Sequence, residues 1–177
     1  MRTFVVEEPR SGALRALNYS PAIERIRKVG SSSSAPLRSL ARKFGESYGA
    51  VFTRLDCASE YGVRLLSQTD TFAAEPAGRT IRLDSMTHAE RHHVRRWQIL
   101  VCGAGQMGEG NLFGQAILAD SRLAGGYLGP DTFAIEFEDP GSDLNLWAYA
   151  FLCTSTGRSA LQSAAYGTSI PHMRADL

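Results

Sequence analysis

The run Ile99-Leu100-Val101-Cys102-Gly103-Ala104-Gly105-Gln106-Met107-Gly108 constrains the fold more than any other segment. It joins an apolar stretch to G-x-G-x-x-G, the spacing of a dinucleotide-binding turn. In that turn the glycines let the backbone approach a pyrophosphate at a helix N-terminus. Asp120, at the end of a second apolar run, stands where a ribose-binding acid would. The residues in between argue against this reading. A parallel βαβ crossover, helix included, needs at least ~10–12 residues. Only Glu109-Gly110-Asn111-Leu112-Phe113-Gly114 separates Gly108 from the run Gln115–Ala119, and two of these six are glycine. The segment 99–120 therefore reads as strand, glycine loop, strand. A nucleotide-dependent enzyme using the Gly103–Gly108 loop is the alternative, and it requires a helix directly after Gly108.

The rest of the chain divides into helical, strand-rich and again helical stretches. A strand is predicted at Thr3–Val6. Ser20 and Pro21 form an N-cap and N1 pair for a short helix through Ile23, Ile26 and Val29, ending at Gly30. Ser31–Ser34 reads as a flexible polar link. Pro36 opens a second helix, with Leu37, Leu40, Ala41 and Phe44 at i, i+3, i+4, i+7 and Gly45 at the stop. Strands are predicted at Val51–Leu55, Val63–Leu66, Thr80–Leu83, Trp97–Cys102, Gln115–Ala119 and Thr132–Phe137. Thr87-His88-Ala89-Glu90 has capping-box spacing and starts one or two helical turns. An Asp143 or Ser142 cap opens a helix with an inward stripe of Leu144, Trp147, Ala148, Phe151 and Leu152. A last helix runs from about Ser155 to Ala165, with Ala160, Leu161, Ala164 and Ala165 inward and Gly167 as its stop. This order predicts an α+β fold: a mixed, mostly antiparallel sheet of short strands with flanking helices.

The totals narrow the function classes. A chain of 177 residues, 44% hydrophobic, suits one compact domain. A charged fraction of 21% and a net charge of +1 do not suit disorder. No run reaches the ~18 apolar residues of a membrane span, so no membrane partner is expected. Glu7 and Glu8 precede no long apolar segment, and no signal peptide is read. The three cysteines, Cys57, Cys102 and Cys153, form no C-x-x-C. Neither a disulfide framework nor a zinc site is expected, and a cytoplasmic location is. His88 and His92 stand at i, i+4, but H-E-x-x-H is missing, so no metal is assigned. There is no G-x-S-x-G and no pair of carboxylates placed for acid–base work, so no catalytic residue is assigned. A pI of about 7.8 leaves a nucleic-acid partner open, provided that charge segregates to one face.

Taken in order, several motifs resemble the target recognition domain of the DNA-specificity subunit of type I restriction–modification systems. Asn18-Tyr19-Ser20-Pro21 and Pro36-Leu37-Arg38-Ser39-Leu40-Ala41 are similar to its lead and its first short helix. Tyr61-Gly62-Val63-Arg64-Leu65-Leu66-Ser67-Gln68-Thr69-Asp70 resembles its glycine, apolar segment and acid. The run Ile99–Gly108 resembles its strand and small-residue loop. Ala148-Tyr149-Ala150-Phe151-Leu152, Ser155-Thr156-Gly157-Arg158 and Tyr166-Gly167-Thr168-Ser169-Ile170-Pro171-His172 resemble its closing helices and terminal loop. The resemblance covers residues 17–177. It divides the chain into a lead, 1–34, and a recognition domain, 35–177. It implies sequence-specific binding of double-stranded DNA, reading one half of a split target. The DNA would pass to a methyltransferase subunit using S-adenosylmethionine and, beyond it, to an ATP-driven restriction subunit. No cofactor is implied in this chain. Specificity subunits carry two such domains, each followed by a long helix, so the resemblance implies one domain of a longer protein or a short form.

DNA recognition needs groups that hold phosphates and groups that read base edges. Arg95 and Arg96 close the most basic segment, Arg91–Arg96, which borders a DNA cleft or is a solvated turn into a strand. Gln106 tips the glycine loop, either on DNA or as a plain polar hairpin tip. Arg54, Arg64 and Gln68 lie on or beside the first strands, and Arg54 and Gln68 are taken as DNA contacts. Gly167, Thr168, Ser169, His172 and Arg174 form a polar loop with hydroxyls and backbone N–H groups suited to phosphate. The other reading of the two hydroxyls is a cap on the helix end. The resemblance places Gly167, Thr168, Ser169 and His172 on the same concave face as Gly103–Gly108. Trp97, Trp147, Tyr149 and Phe151 are expected in the core, and Tyr48 and Tyr61 at the surface.

Overall fold

The buried strand Thr132–Phe137 builds the centre of the molecule. In this computed structural model, residues 21, 24–25, 28, 37–46, 48–108, 110–167 and 170–174 are described. Strand β7, Thr132–Phe137, points Phe133, Ile135 and Phe137 to one side and Ala134 to the other. It lies in a four-stranded antiparallel sheet of order β1-β7-β4-β5, with β1 at Ala41–Phe44, β4 at Ile99–Cys102 and β5 at Ala116–Leu118. All four residues of β4 are buried, as a central strand covered on both faces requires. Ile99 and Val101 join β7's phenylalanines in a cluster with Ala148, Leu152, Phe113, Ala164, Ala165 and Met173. Ala148 and Leu152 belong to helix α4, Asp143–Cys153. It is followed by α5, Ser155–Gln162, and the hairpin β8, Ala165–Tyr166, with β9, His172–Met173. Phe133→Ala in this cluster would cost ~3–5 kcal/mol.

The opposite face of the sheet meets a second, three-stranded one. Leu100 and Ala134 pack with Leu66, Val94, Leu123 and Leu128. The second sheet has order β3-β2-β6, with β2 at Val63–Leu66, β3 at Arg79–Ile81 and β6 at Tyr127–Leu128. The β2–β6 pair is parallel; the other ladders are antiparallel. Leu65, next to Leu66, points the other way, to Ile81 and Met86. One-turn helices lie at α1, Leu37–Leu40, α2, Gln68–Thr71, and α3, Ala89–His92, with 3-10 turns at Ser59–Tyr61 and Leu83–Ser85. The fold is α+β, with short and mostly antiparallel strands.

Several sequence expectations need correction. The helix expected from Pro36 to Phe44 stops at Leu40, and Ala41–Phe44 becomes edge strand β1. Its pairing with β7 shifts register between Ala41 and Lys43. That irregularity puts Ala41 and Phe44, three residues apart, on the same core cluster. In the sequence the spacing is indistinguishable from a helical one. Val51–Leu55 is not a strand: Val51 is 92% exposed, and one bond, Arg82 N to Leu55 O at 2.8 Å, ties the segment to its neighbour. The Thr87 capping box does not form; His88 is the N-cap, in left-handed conformation with φ 54°. On α4 the buried face is Asn145, Ala148 and Leu152, whereas Leu144 is exposed and Trp147 is 64% exposed. Asn145 takes the inward place because its Oδ1 accepts from Gly141 N at 2.8 Å. The last helix ends at Gln162; Ala165 pairs with Met173 instead, and Gly167, φ 83°, follows a strand. Thr3–Val6, Ser20, Ile23, Ile26, Val29–Ser34, Pro36, Thr168 and Ser169 lie outside the described residues.

Candidate nucleic-acid interface

The glycine segment is a hairpin. Strands β4 and β5 pair antiparallel, Ile99 with Leu118 and Val101 with Ala116. Cys102 and its partners close the loop: Cys102 N donates to Gln115 O, and Gly114 N to Cys102 O, both at 2.9 Å. No described residue between Gly108 and Gln115 is helical. An antiparallel hairpin has no crossover helix and no helix N-terminus for a pyrophosphate, so the dinucleotide turn is absent.

The loop is stitched to β9 along its first three residues. Gly103 O accepts from Met173 N at 2.7 Å, Gly105 N donates to Pro171 O at 3.1 Å, and Ala104 bridges His172. Tyr48 locks the joint from below. Its hydroxyl donates to Gly103 O at 2.6 Å and accepts from Met173 N at 3.0 Å. Burial pushes its phenol up to about 12, so it stays protonated. Cys102 is also driven up to about 12 by burial, and its thiol donates to Ala104 O at 3.3 Å; it is an inert wall, not a nucleophile.

The far limb of the loop hangs on α5. Arg158 Nη2 donates to the carbonyls of Gly108 at 3.2 Å, Asn111, and Phe113 at 3.4 Å. Gln162 Nε2 adds a bond to Phe113 O at 3.1 Å. Between the two anchored limbs, Gln106 is exposed. Gln68 lies beside the loop, its Nε2 3.6 Å from where a Gly105 Cβ would stand. Its Oε1 is buried without a partner. Ser67 and Asp70 fix Gln68's turn through a reciprocal capping box. Burial raises the Asp70 carboxyl, but bonds from the Ser67 hydroxyl and amide outweigh it and leave the group below its ordinary range.

The structure therefore brings together Gln68, Gln106 and His172, the last half-buried with its ring 6.0 Å from that of Tyr166. Gly167 is exposed and follows Tyr166 of β8, and Arg174 follows β9 with its N bonded to Ala164 O at 2.9 Å. Arg95 and Arg96 stand apart: they precede β4, whereas the glycine loop follows it. Arg95 is committed to the buried Glu136, Nη1 to Oε2 3.1 Å. Arg96 stacks on Trp97, 4.9 Å to the ring centroid. Arg54 is exposed on the small-sheet side, 5.8 Å over the Phe52 ring. Arg64 is structural: its Nη2 donates to Arg122 O at 2.6 Å. Tyr48, half-buried rather than superficial, and Arg158 are the residues that sequence reasoning missed. His88 and His92 share no metal geometry, since His88 is exposed and His92 buried. Among the described residues no three acidic, histidine or cysteine side chains cluster as metal ligands, and no helix is long and apolar enough to cross a membrane.

No protein-family model matches the chain, and no curated protein matches it in sequence. Among solved structures, the S subunit of a type I restriction–modification system from M. genitalium is similar at a TM-score of 0.40 and 17% identity. The likeness covers 80% of this chain and 34% of that one, so the chain spans about a third of that structure's length.

Proposed function

We propose that this chain is a target recognition domain of the type I specificity-subunit kind, binding double-stranded DNA sequence-specifically without catalysis. The observation that carries the reading is the joint between two motif segments far apart in sequence, Gly103–Gly108 and Tyr166–His172. The bonds from Met173 N to Gly103 O and from Gly105 N to Pro171 O tie the start of the glycine loop to Pro171 and β9, which supports reading the two segments as one surface. Such a surface offers the exposed amide of Gln106, of the type that reads base edges, with the half-buried Gln68 beside it. In this reading Thr168 and Ser169 supply hydroxyls for phosphate, Arg54, Arg96 and Arg174 supply charge, and Arg95 shares its charge with Glu136. Methylation with S-adenosylmethionine and ATP-driven cleavage belong to partner subunits, a methyltransferase and a restriction subunit.

The test is fluorescence anisotropy of the full chain with mixed-sequence duplexes, followed by methylation-site mapping with a partner methyltransferase. Contact with ~4–5 phosphates gives a log–log salt slope of roughly −4. No duplex binding at ~50 mM salt and tens of micromolar protein, alone and with the methyltransferase, overturns the reading.

A second reading, a protein-interaction module, is favoured by α4. Trp147 stacks on Phe151 at 5.7 Å and 6° while 64% exposed, and Leu144 is exposed beside it. Exposed aromatics of this kind are enriched at protein interfaces. Trp147→Ser that abolishes methyltransferase binding but leaves duplex affinity intact gives this face the partner and the glycine loop the DNA.

A further inference from the structure

A strained turn stands at the other end of β4 from the glycine loop. Gln98 N donates to Arg95 O at 3.3 Å, and Arg95 N donates to Gln98 Oε1 at 2.8 Å. Gln98 Nε2 donates in turn to Glu136 Oε2 at 2.7 Å, the oxygen that Arg95 also reaches. Gln98 and Glu136 are only 4% and 7% exposed, so the turn is anchored on buried partners, with Arg95 at the surface above them. On this base Trp97 adopts φ 73°. Bulky residues avoid that region because Cβ crowds the following carbonyl. Strain of this sort persists where surroundings over-determine it, and it gathers at functional sites.

Two neighbours lie against the Trp97 indole. A Cβ added to Gly141, itself at φ 82°, would lie 3.2 Å from the ring, tighter than most real contacts. The Arg96 guanidinium lies 4.9 Å from the ring centroid. Arg96 is exposed, and among the described residues no carboxylate pairs with it. Its neighbour Arg95 spends its charge on Glu136. A guanidinium held by its face keeps its donors free at the edge, in a fork that fits two phosphate oxygens.

We infer that Arg96 is a phosphodiester-gripping arginine and that Trp97 and Gly141 are its positioning residues. The inference rests on the DNA reading above. Four residues of β4, at ~3.3 Å each, set the grip about 13 Å from the glycine loop. A duplex rising ~3.4 Å per base pair spans that distance in about four pairs.

The experiment uses the full chain in a Trp147→Phe background, which leaves Trp97 as the only tryptophan. A mixed-sequence duplex is titrated against Trp97 emission and, separately, by anisotropy across ~50–200 mM salt. Emission saturates with the anisotropy Kd. R96A lowers the salt slope by about one unit, so its defect shrinks about fourfold over that range. R96K and W97L keep the slope but weaken binding, because the charge remains while its placement is lost. W97F restores most of the affinity through its own ring. R96A and R96K change an exposed side chain, so they carry the test if the Trp97 variants do not fold. Wild-type slope and affinity in R96A overturn this inference and leave the DNA reading standing. No duplex binding by the parent chain, alone and with the methyltransferase, overturns both.

Discussion

The Tyr48 hydroxyl donates to the carbonyl of Gly103 across 2.6 Å, and through that oxygen it touches the joint between the glycine loop and β9. Tyr48→Phe keeps the ring and removes the donor to Gly103 and the acceptor for Met173 N. The expected loss is ~0.5–1.5 kcal/mol, the net worth of a hydrogen bond, because Gly103 O and Met173 N still bond each other at 2.7 Å; it is read as a shift in urea midpoint. The phenol's folded value of about 12 lies above the ~10 of an unfolded tyrosine. Its contribution is therefore full below pH ~10 and lost as pH rises toward 12. The gap between wild type and Tyr48→Phe should narrow above pH 10. An unchanged midpoint at pH 7 would mean that water replaces the hydroxyl without cost.

Gly103→Ala attacks the same joint from the other side. Its Cβ would lie 2.4 Å from Tyr48 Cε2, closer than real contacts allow, and the ring is pinned by its two hydrogen bonds. Overpacking of this kind costs ~1–3 kcal/mol. Gly110→Ala is the control, since nothing lies within 4 Å of its Cβ, and its effect stays within ~0.5 kcal/mol. Equal melting temperatures for the two variants would show that the loop shifts freely away from Tyr48.

What the sequence made legible was what short-range constraints decide. Six residues cannot hold a crossover helix, so the β4–β5 hairpin followed from chain length. The alternation of Thr132–Phe137 gave β7 to the residue. The irregular pairing of β1 hid it, because Ala41 and Phe44 reach one face at helical spacing. On α4 the apolar stripe lost its inward place to Asn145, which a turn outside the helix needs. In the candidate site the loop was visible, but its anchors were not. Tyr48 meets Gly103 across 55 positions and Met173 across 125, and no local pattern announces such a stitch. The left-handed backbone of Trp97 is equally silent, since propensity argues against it there.

Buried His92 gives the fold an acid-sensitive point. Its ring bonds Leu128 O through Nδ1 at 2.9 Å, while Nε2 is buried without a partner and Phe52 packs edge-on at 5.0 Å. Burial holds the imidazole below its ordinary range, outweighing the bond to Leu128 and the nearby Glu90. With the folded value depressed, the unfolded chain takes up the proton first. Stability is then full above the unfolded value of ~6.5 and falls as pH drops toward the folded one. His92→Asn, whose amide can replace Nδ1 but does not titrate, should flatten the stability curve below pH ~6.5. A parallel decline in wild type and variant would assign the acid sensitivity to other groups.

Arg158 should act on the glycine loop alone. Its guanidinium holds the carbonyls of Gly108, Asn111 and Phe113, and its stem packs 3.6 Å from where a Gly114 Cβ would lie. Arg158→Met keeps the stem and removes the donors; Gln162 still holds Phe113 O. Global stability should fall by only ~1–2 kcal/mol, because the lost bonds are partly exposed. Local opening should respond more. Amide exchange across 105–112 should quicken at least tenfold while β4 and β7 keep their protection, since loops open below the global free energy. Duplex affinity should fall with it, because a looser loop loses more entropy on docking. If exchange in 105–112 is unchanged, the Cys102–Gln115 and Gly114–Cys102 bonds hold the loop by themselves. Arg158 would then be a packing residue on α5, with no part in presenting Gln106.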